Sequence, residues 1–203
     1  MGVRVHRVSA LDVLKIRSKD HRPPFDIVLN ELYGGFLPSP QARWCTRFLK
    51  IKPFEAFVGT DKAYSYLGIR GDENRGGYQA GKKPVLLSDR PNILPVYPFK
   101  DLNLGLADVQ RILADSGLGL PTYYQWSSRS GCFFCFYQQV GEWQGLKERH
   151  PALFEKAKAY EKVENGRAYT WSQGRSLAEL EALERRYDVA PAESQEGCAV
   201  CHL

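Results

Sequence analysis

The stretch "SGCFFCFYQ" (130–138) sets two thiols, Cys132 and Cys135, three positions apart. This pair constrains the chain more than any other short segment, because a preceding glycine, Gly131, predicts a tight turn that aims both sulfurs at one point. Three chemistries use this spacing: zinc ligation, iron–sulfur ligation and thiol–disulfide exchange. A second pair, Cys198 and Cys201, lies in the terminal "EGCAVCHL" (196–203). Four thiolates from two such pairs can build a tetrahedral zinc site, but 62 residues separate them, a wider gap than in compact zinc fingers. A thiol on such a tail could also swing into an active site and attack, with His202 assisting its deprotonation.

The fifth cysteine, Cys45, stands in "RWCTRFLK" (43–50) among Arg43, Arg47, Lys50 and Lys52. Nearby positive charge favours thiolate, so Cys45 is a third candidate ligand. The start, "MGVRVHRVSALDV", lacks the apolar core of an export signal. Cysteines in a chain read as cytoplasmic point to metal or redox use rather than a disulfide scaffold. No run of about 18 apolar residues is present, so no membrane partner is expected. A net charge of +5 leans towards an anionic partner, such as a nucleotide or nucleic acid.

Along the chain, "VRVHRV" (3–8) alternates like a short strand and "ALDVLKIRS" (10–18) has a helical rhythm. Ser39 before Pro40 predicts a helix start carrying "QARWCTRFLKIK" and stopping near Pro53. "KAYSYLGIR" (62–70) reads as a strand, residues 79–92 as a mobile connection and "ILPVYPF" (93–99) as extended. "GLADVQRILADSG" (105–117) places Leu106, Val109, Ile112 and Leu113 on one helical face, closed by Gly117. Helices are expected over 150–165 and over 176–187, the latter opened by a capping box of Ser176 and Glu179. The pattern predicts an α/β domain over 1–149 and a helical extension with a cysteine-bearing tail over 150–203.

The expected strand over 62–70 runs into "LGIRGDENRGGY" (67–78). Glycines let backbone approach a ligand, and the forks of Arg70 and Arg75 match phosphate or sulfate. Asp72 and Glu73 would repel a naked phosphate, so they are expected to pair with the arginines, orient them, or cap the following turn. The aromatic "YYQWSSR" (123–129) could stack bases.

Together, "RWCTRFLKIKPF", "YLGIRGDENR", "VYPFKDLNLGLADVQRILADSGL" and "SSRSGCFFC" resemble, in order, four segments of the phosphoadenosine phosphosulfate reductase family, within the adenine-nucleotide α-hydrolase-like superfamily. The resemblance covers about residues 1–160. It implies a Rossmann-like parallel sheet and chemistry on an adenine sulfonucleotide, with a thioredoxin-like reductant. It implies a [4Fe–4S] cluster on Cys45, Cys132 and Cys135, with Cys198 or Cys201 as fourth ligand or one iron site left open for substrate or sulfide; Cys198 or Cys201 is the attacking nucleophile if neither is a ligand. It makes Arg70 and Arg75 anion contacts, in a site with Asp72, Glu73, Arg43 and Lys50. The family's S-G-G-K-D-S-type phosphate loop has no counterpart here, and "MGVRVHRVS" looks like the fold's third strand. The fold is therefore expected to be N-terminally incomplete, with a second chain as a possible source of that loop. Two other readings stand beside this one: ATP- and cluster-dependent thiolation of tRNA or DNA, and a non-catalytic Zn module built on Cys132, Cys135, Cys198 and Cys201.

Overall fold

The computed structural model describes residues 4–14, 21–73, 88–164 and 166–190. Arg75, Cys198 and Cys201 lie outside them, as do most of the expected connection over 79–92 and most of the cysteine-bearing tail. The protein is mixed α/β. The strands β1 (Ala63–Tyr66) and β2 (Ile93–Val96) pair with each other. The Ala63 N–H donates to the Asn92 carbonyl and the Leu67 N–H to the Val96 carbonyl, both at 2.9 Å. Donor and acceptor advance together, so the pair is parallel. The chain divides into two compact units, Met1–Ser65 with Leu86–Pro95, and Tyr66–Val85 with Val96–Leu203.

The first unit contains α1 (Ala10–Leu14), α2 (Pro24–Ile27), α3 (Trp44–Thr46) and α4 (Lys52–Val58). Proline opens α2, where its missing N–H costs nothing. Wide π turns follow α2 over Val28–Leu32 and join α3 to α4 over Arg47–Ile51. Trp44 stacks on Tyr33 at 4.6 Å and on Phe25 at 5.3 Å, and its indole N–H donates to the Phe36 carbonyl. The expected strand at 3–8 does not form over its described residues: Val5 is 86% exposed, with no ladder partner to hold it extended. The Cys45 helix also differs from expectation. Ser39 and Ala42 exchange backbone bonds in a turn, so the helix begins at Trp44. It continues through Pro53 to Val58, because the π turn shifts the Lys52 N–H onto the Arg47 carbonyl and relieves the proline clash.

The second unit contains α5 (Pro98–Asp101), α6 (Leu106–Asp115), a 3₁₀ turn (Thr122–Gln125), α7 (Val140–Arg149), α8 (Pro151–Lys158), the strands β3 (Lys162–Glu164) and β4 (Arg167–Tyr169), and α9 (Leu177–Glu181). Helix α6 ends as expected, with Gly117 at φ +77°. Its apolar face is only partly covered, and Ile112 is 47% exposed. The helix expected over 150–165 stops at Lys158 and gives way to the antiparallel β3–β4 hairpin, whose turn holds Gly166 at φ +73°. The capping box at Ser176 forms: Ser176 Oγ accepts the Glu179 N–H and Glu179 Oε2 accepts the Ser176 N–H at 2.7 Å. It opens a helix that ends at Glu181, shorter than expected.

The core here is Trp143, Leu146, Phe154, Ala157, Trp171, Leu177 and Leu180, each at most 2% exposed. The Trp171 indole N–H donates to the Ala157 carbonyl at 2.8 Å. Glu161 joins hairpin to α9, accepting the Trp171 N–H at 2.9 Å and the Leu177 N–H at 2.7 Å. Burial raises the Glu161 pKa, against those two bonds. Among the described residues, no helix is long and apolar enough to cross a membrane.

Candidate functional site

The loop after β1 is built by the segment that follows β2. The Gly71 N–H donates to the Leu104 carbonyl at 2.7 Å, and a Cβ at Gly71 would sit 2.8 Å from the Asn103 carbonyl carbon. Only glycine fits this approach. Lys100 Nζ donates to the Gly71 and Glu73 carbonyls. Asp72 Oδ2 accepts the Leu106 N–H at 2.9 Å, at the first turn of α6, where a carboxylate also meets the helix dipole favourably. Burial pushes the Asp72 carboxyl up, but the Leu106 bond and the Arg70 guanidinium outweigh it and leave its pKa below the ordinary value.

Arg70 is held from two sides, by Asp72 Oδ1 at 2.8 Å and Glu73 Oε1 at 3.2 Å. The two carboxylates therefore orient the fork and also cancel its charge. What Arg70 offers a ligand is aimed N–H groups rather than net positive charge. Its loop lines a cleft of about 730 Å³ together with Tyr124, Trp126, Ser128, Arg149 and Asp188. That size falls in the usual range for small-ligand sites. Burial raises the Tyr124 pKa, with help from a hydrogen bond to Tyr123.

One wall of the cleft rests on a carboxylate. Glu142 is fully buried. Its Oε1 accepts from Ser127 Oγ (2.9 Å), Ser128 N (2.8 Å) and Ser128 Oγ (2.9 Å), and its Oε2 from Gln139 N at 2.8 Å. A single side chain thus fixes "SSR" against the start of α7. Two glycines of α7 let other segments approach closely. A Cβ at Gly145 would lie 2.9 Å from Trp126 Cβ, and one at Gly141 would lie 2.4 Å from the Tyr187 carbonyl oxygen.

The thiol pair lies beyond that wall. Cys135 N–H donates to the Cys132 carbonyl at 3.1 Å and closes the turn. Cys132 is exposed and Cys135 buried. Gly131 is not at positive φ, and a Cβ there would meet only Cys135 Cβ at 3.9 Å, so the turn does not depend on it. Phe134 stacks on Trp171 at 5.6 Å and anchors the turn to the core. Arg129 Nη2 lies 3.9 Å from Cys135 Sγ, and its guanidinium stacks on Tyr137. Both thiols line a pocket of about 240 Å³, and Trp126 and Ser127 line this pocket and the Arg70 cleft alike.

The second unit therefore holds Arg70, Asp72, Glu73, Cys132 and Cys135, whereas Cys45, Arg43 and Lys50 belong to the first. Among the described residues, no group of three or more His, Cys, Asp or Glu side chains could hold a metal ion. Sequence reasoning missed Glu142, Arg129 and Arg149. None of the three carries a local signal: Gln139, three residues before Glu142, is not among the residue types that mark a helix start.

The fold and site thus define a mixed α/β protein with an arginine-bearing cleft beside a thiol pair. The chain is similar to "Uncharacterized protein MJ0066" of Methanocaldococcus jannaschii, at 27% identity over 129 residues, which is 61% of this chain and 26% of that protein. It thus spans about a quarter of the relative's length. No family model and no solved structure matches.

Proposed function

We propose that the chain carries a sulfonucleotide-reductase-like site on a Rossmann-like fold, acting on an adenine nucleotide whose sulfo group is transferred to a thiol. The observation that carries this reading is the shared wall: Trp126 and Ser127 border both the Arg70 cleft and the Cys132–Cys135 pocket. In this reading the fork contacts the anionic sulfo group and the thiol pair beside it holds the iron–sulfur centre.

The donor chemistry of the pair fits thiolate ligation. The closed turn presents two sulfurs to one pocket, with Arg129 Nη2 3.9 Å from Cys135 Sγ. Cys132 and Cys135 would be two ligands of a [4Fe–4S] cluster, with Cys198 or Cys201 of the tail as a possible further one. When bound, the cluster would supply thiolate-held iron. Arg70 donates to the anionic oxygens, with Arg75 of the same loop as a second contact, and stabilises charge that shifts during transfer. Whichever tail thiol is not a ligand attacks the sulfur. The S–O bond to the nucleotide breaks, and the sulfo group stays on the cysteine sulfur. An external dithiol then donates two electrons, releasing sulfite and the protein thiol and becoming a disulfide itself.

Protein purified without oxygen should be brown, absorb near 400 nm and contain iron. Cys132→Ser and Cys135→Ser should each lose that colour. Arg70→Ala should keep the colour and lose nucleotide-dependent sulfite release. A colourless protein with one zinc per chain, or an Arg70→Ala variant of unchanged activity, would contradict the reading.

A further inference from the structure

The formal charge of the chain is unevenly shared. The first unit carries 12 Lys and Arg against 7 Asp and Glu, which is the whole net charge of +5, whereas the second carries 16 of each. Part of that excess stands beside exposed aromatic rings. Phe57, near the end of α4, is 53% exposed, and the exposed His6 ring, flanked in sequence by Arg4 and Arg7, lies 5.1 Å from it. A tight turn, closed by the Asp61 N–H on the Val58 carbonyl, leads from α4 to β1. There Tyr64 is 59% exposed, with Lys62 Nζ 5.6 Å from its ring centre. Arg22, Arg47 and Arg90 of the same unit each meet a carboxylate. Among the described residues, Arg4, Arg7 and Lys62 meet none. Both rings forgo the burial that aromatic side chains ordinarily gain on folding.

We propose that the surface of the first unit bearing Phe57 and Tyr64 binds single-stranded nucleic acid. Bases stack on the two rings, and Arg4, Arg7 and Lys62 meet the phosphates. This partner is independent of the sulfonucleotide reading and of the Arg70 cleft. The rings decide which form of nucleic acid fits. A purely cationic surface favours a duplex, whose phosphate charge is denser. A duplex, however, keeps its base faces stacked against one another, so exposed rings beside cations fit a strand whose base faces are open. Asp61, exposed in the turn between the two rings, opposes the phosphates locally.

The test is fluorescence anisotropy with labelled oligo(U), oligo(dT) and a mixed-sequence duplex of equal length. Wild-type protein should bind at least one of the single strands about fivefold more tightly than the duplex, and the tighter strand names the polymer. Phe57→Ala and Tyr64→Ala should each weaken that binding at least about fivefold; both side chains are more than half exposed, so the fold tolerates the change. Lys62→Gln should lower the salt slope by about 0.7, the share of one phosphate contact. Asp61→Asn should tighten binding. Arg167→Gln, in the hairpin of the neutral second unit, should leave the affinity within about twofold. No binding to either strand, equal or tighter binding of the duplex, or either alanine variant within about twofold of wild type would overturn the proposal.

Discussion

Replacing Glu142 tests how the site is held together. The side chain is fully buried and receives four donors at 2.8–2.9 Å. Hydrogen bonds to a charged group contribute about 1.5–3 kcal/mol each, and a buried donor left unpaired costs about 1–3 kcal/mol. In Glu142→Ala the two serine hydroxyls can rotate towards other acceptors, but the Ser128 and Gln139 N–H groups cannot. Two stranded N–H groups and a cavity of carboxylate size give a net loss of about 3–5 kcal/mol. Glu142→Gln should lose less, about 1–3 kcal/mol. Its carbonyl can still accept from Ser127 and Ser128, while its NH₂ would face the Gln139 N–H, donor against donor. Equilibrium unfolding in urea at constant slope reads both values. A Glu142→Ala variant within about 0.5 kcal/mol of wild type would refute the reasoning, since a loss in the expected range is a large share of a typical domain's stability.

Further outcomes follow from the geometry. Gly145→Ala should push Trp126 off α7, because the new Cβ would lie 2.9 Å and 3.0 Å from its atoms; a stability loss of about 1–3 kcal/mol and an altered tryptophan emission spectrum are expected. Gly141→Ala should detach the segment around Tyr187, where the new Cβ would meet a backbone oxygen at 2.4 Å, and trypsin should then cut faster at Arg185 and Arg186. Asp72 has a folded-state pKa below its ordinary 3.8. Its carboxylate therefore stabilises the fold above about pH 3.8, and that contribution disappears as pH falls through the lower folded value. With the side chain 47% exposed, Asp72→Asn should cost only about 0.5 kcal/mol at neutral pH, and nothing once wild-type Asp72 is protonated.

What the sequence revealed was chemistry carried by neighbouring residues. The Arg70 loop, its pairing with Asp72 and Glu73, the α6 stop at Gly117 and the Ser176 capping box each depend on residues a few positions apart. The hairpin was also legible, since Asn165-Gly166 is a strong short-range turn signal, yet the helical rhythm of 150–158 was extended across it. Helix α7 was hidden by Gly141 and Gly145, which lower helix propensity and are there for close approach. The Glu142 cluster and the shared wall at Trp126 and Ser127 arise from tertiary contact, which no local spacing encodes.

The account depends on the Arg70 cleft and the thiol pocket being two parts of one binding site. Hydrogen exchange measured by mass spectrometry, with and without adenosine 5′-phosphosulfate, tests this most directly. Amides of the Arg70 loop (67–73) and of the segment from Ser127 to Cys135 should slow together in wild-type protein, and neither should slow in Arg70→Ala. Protection of one segment without the other would contradict the account.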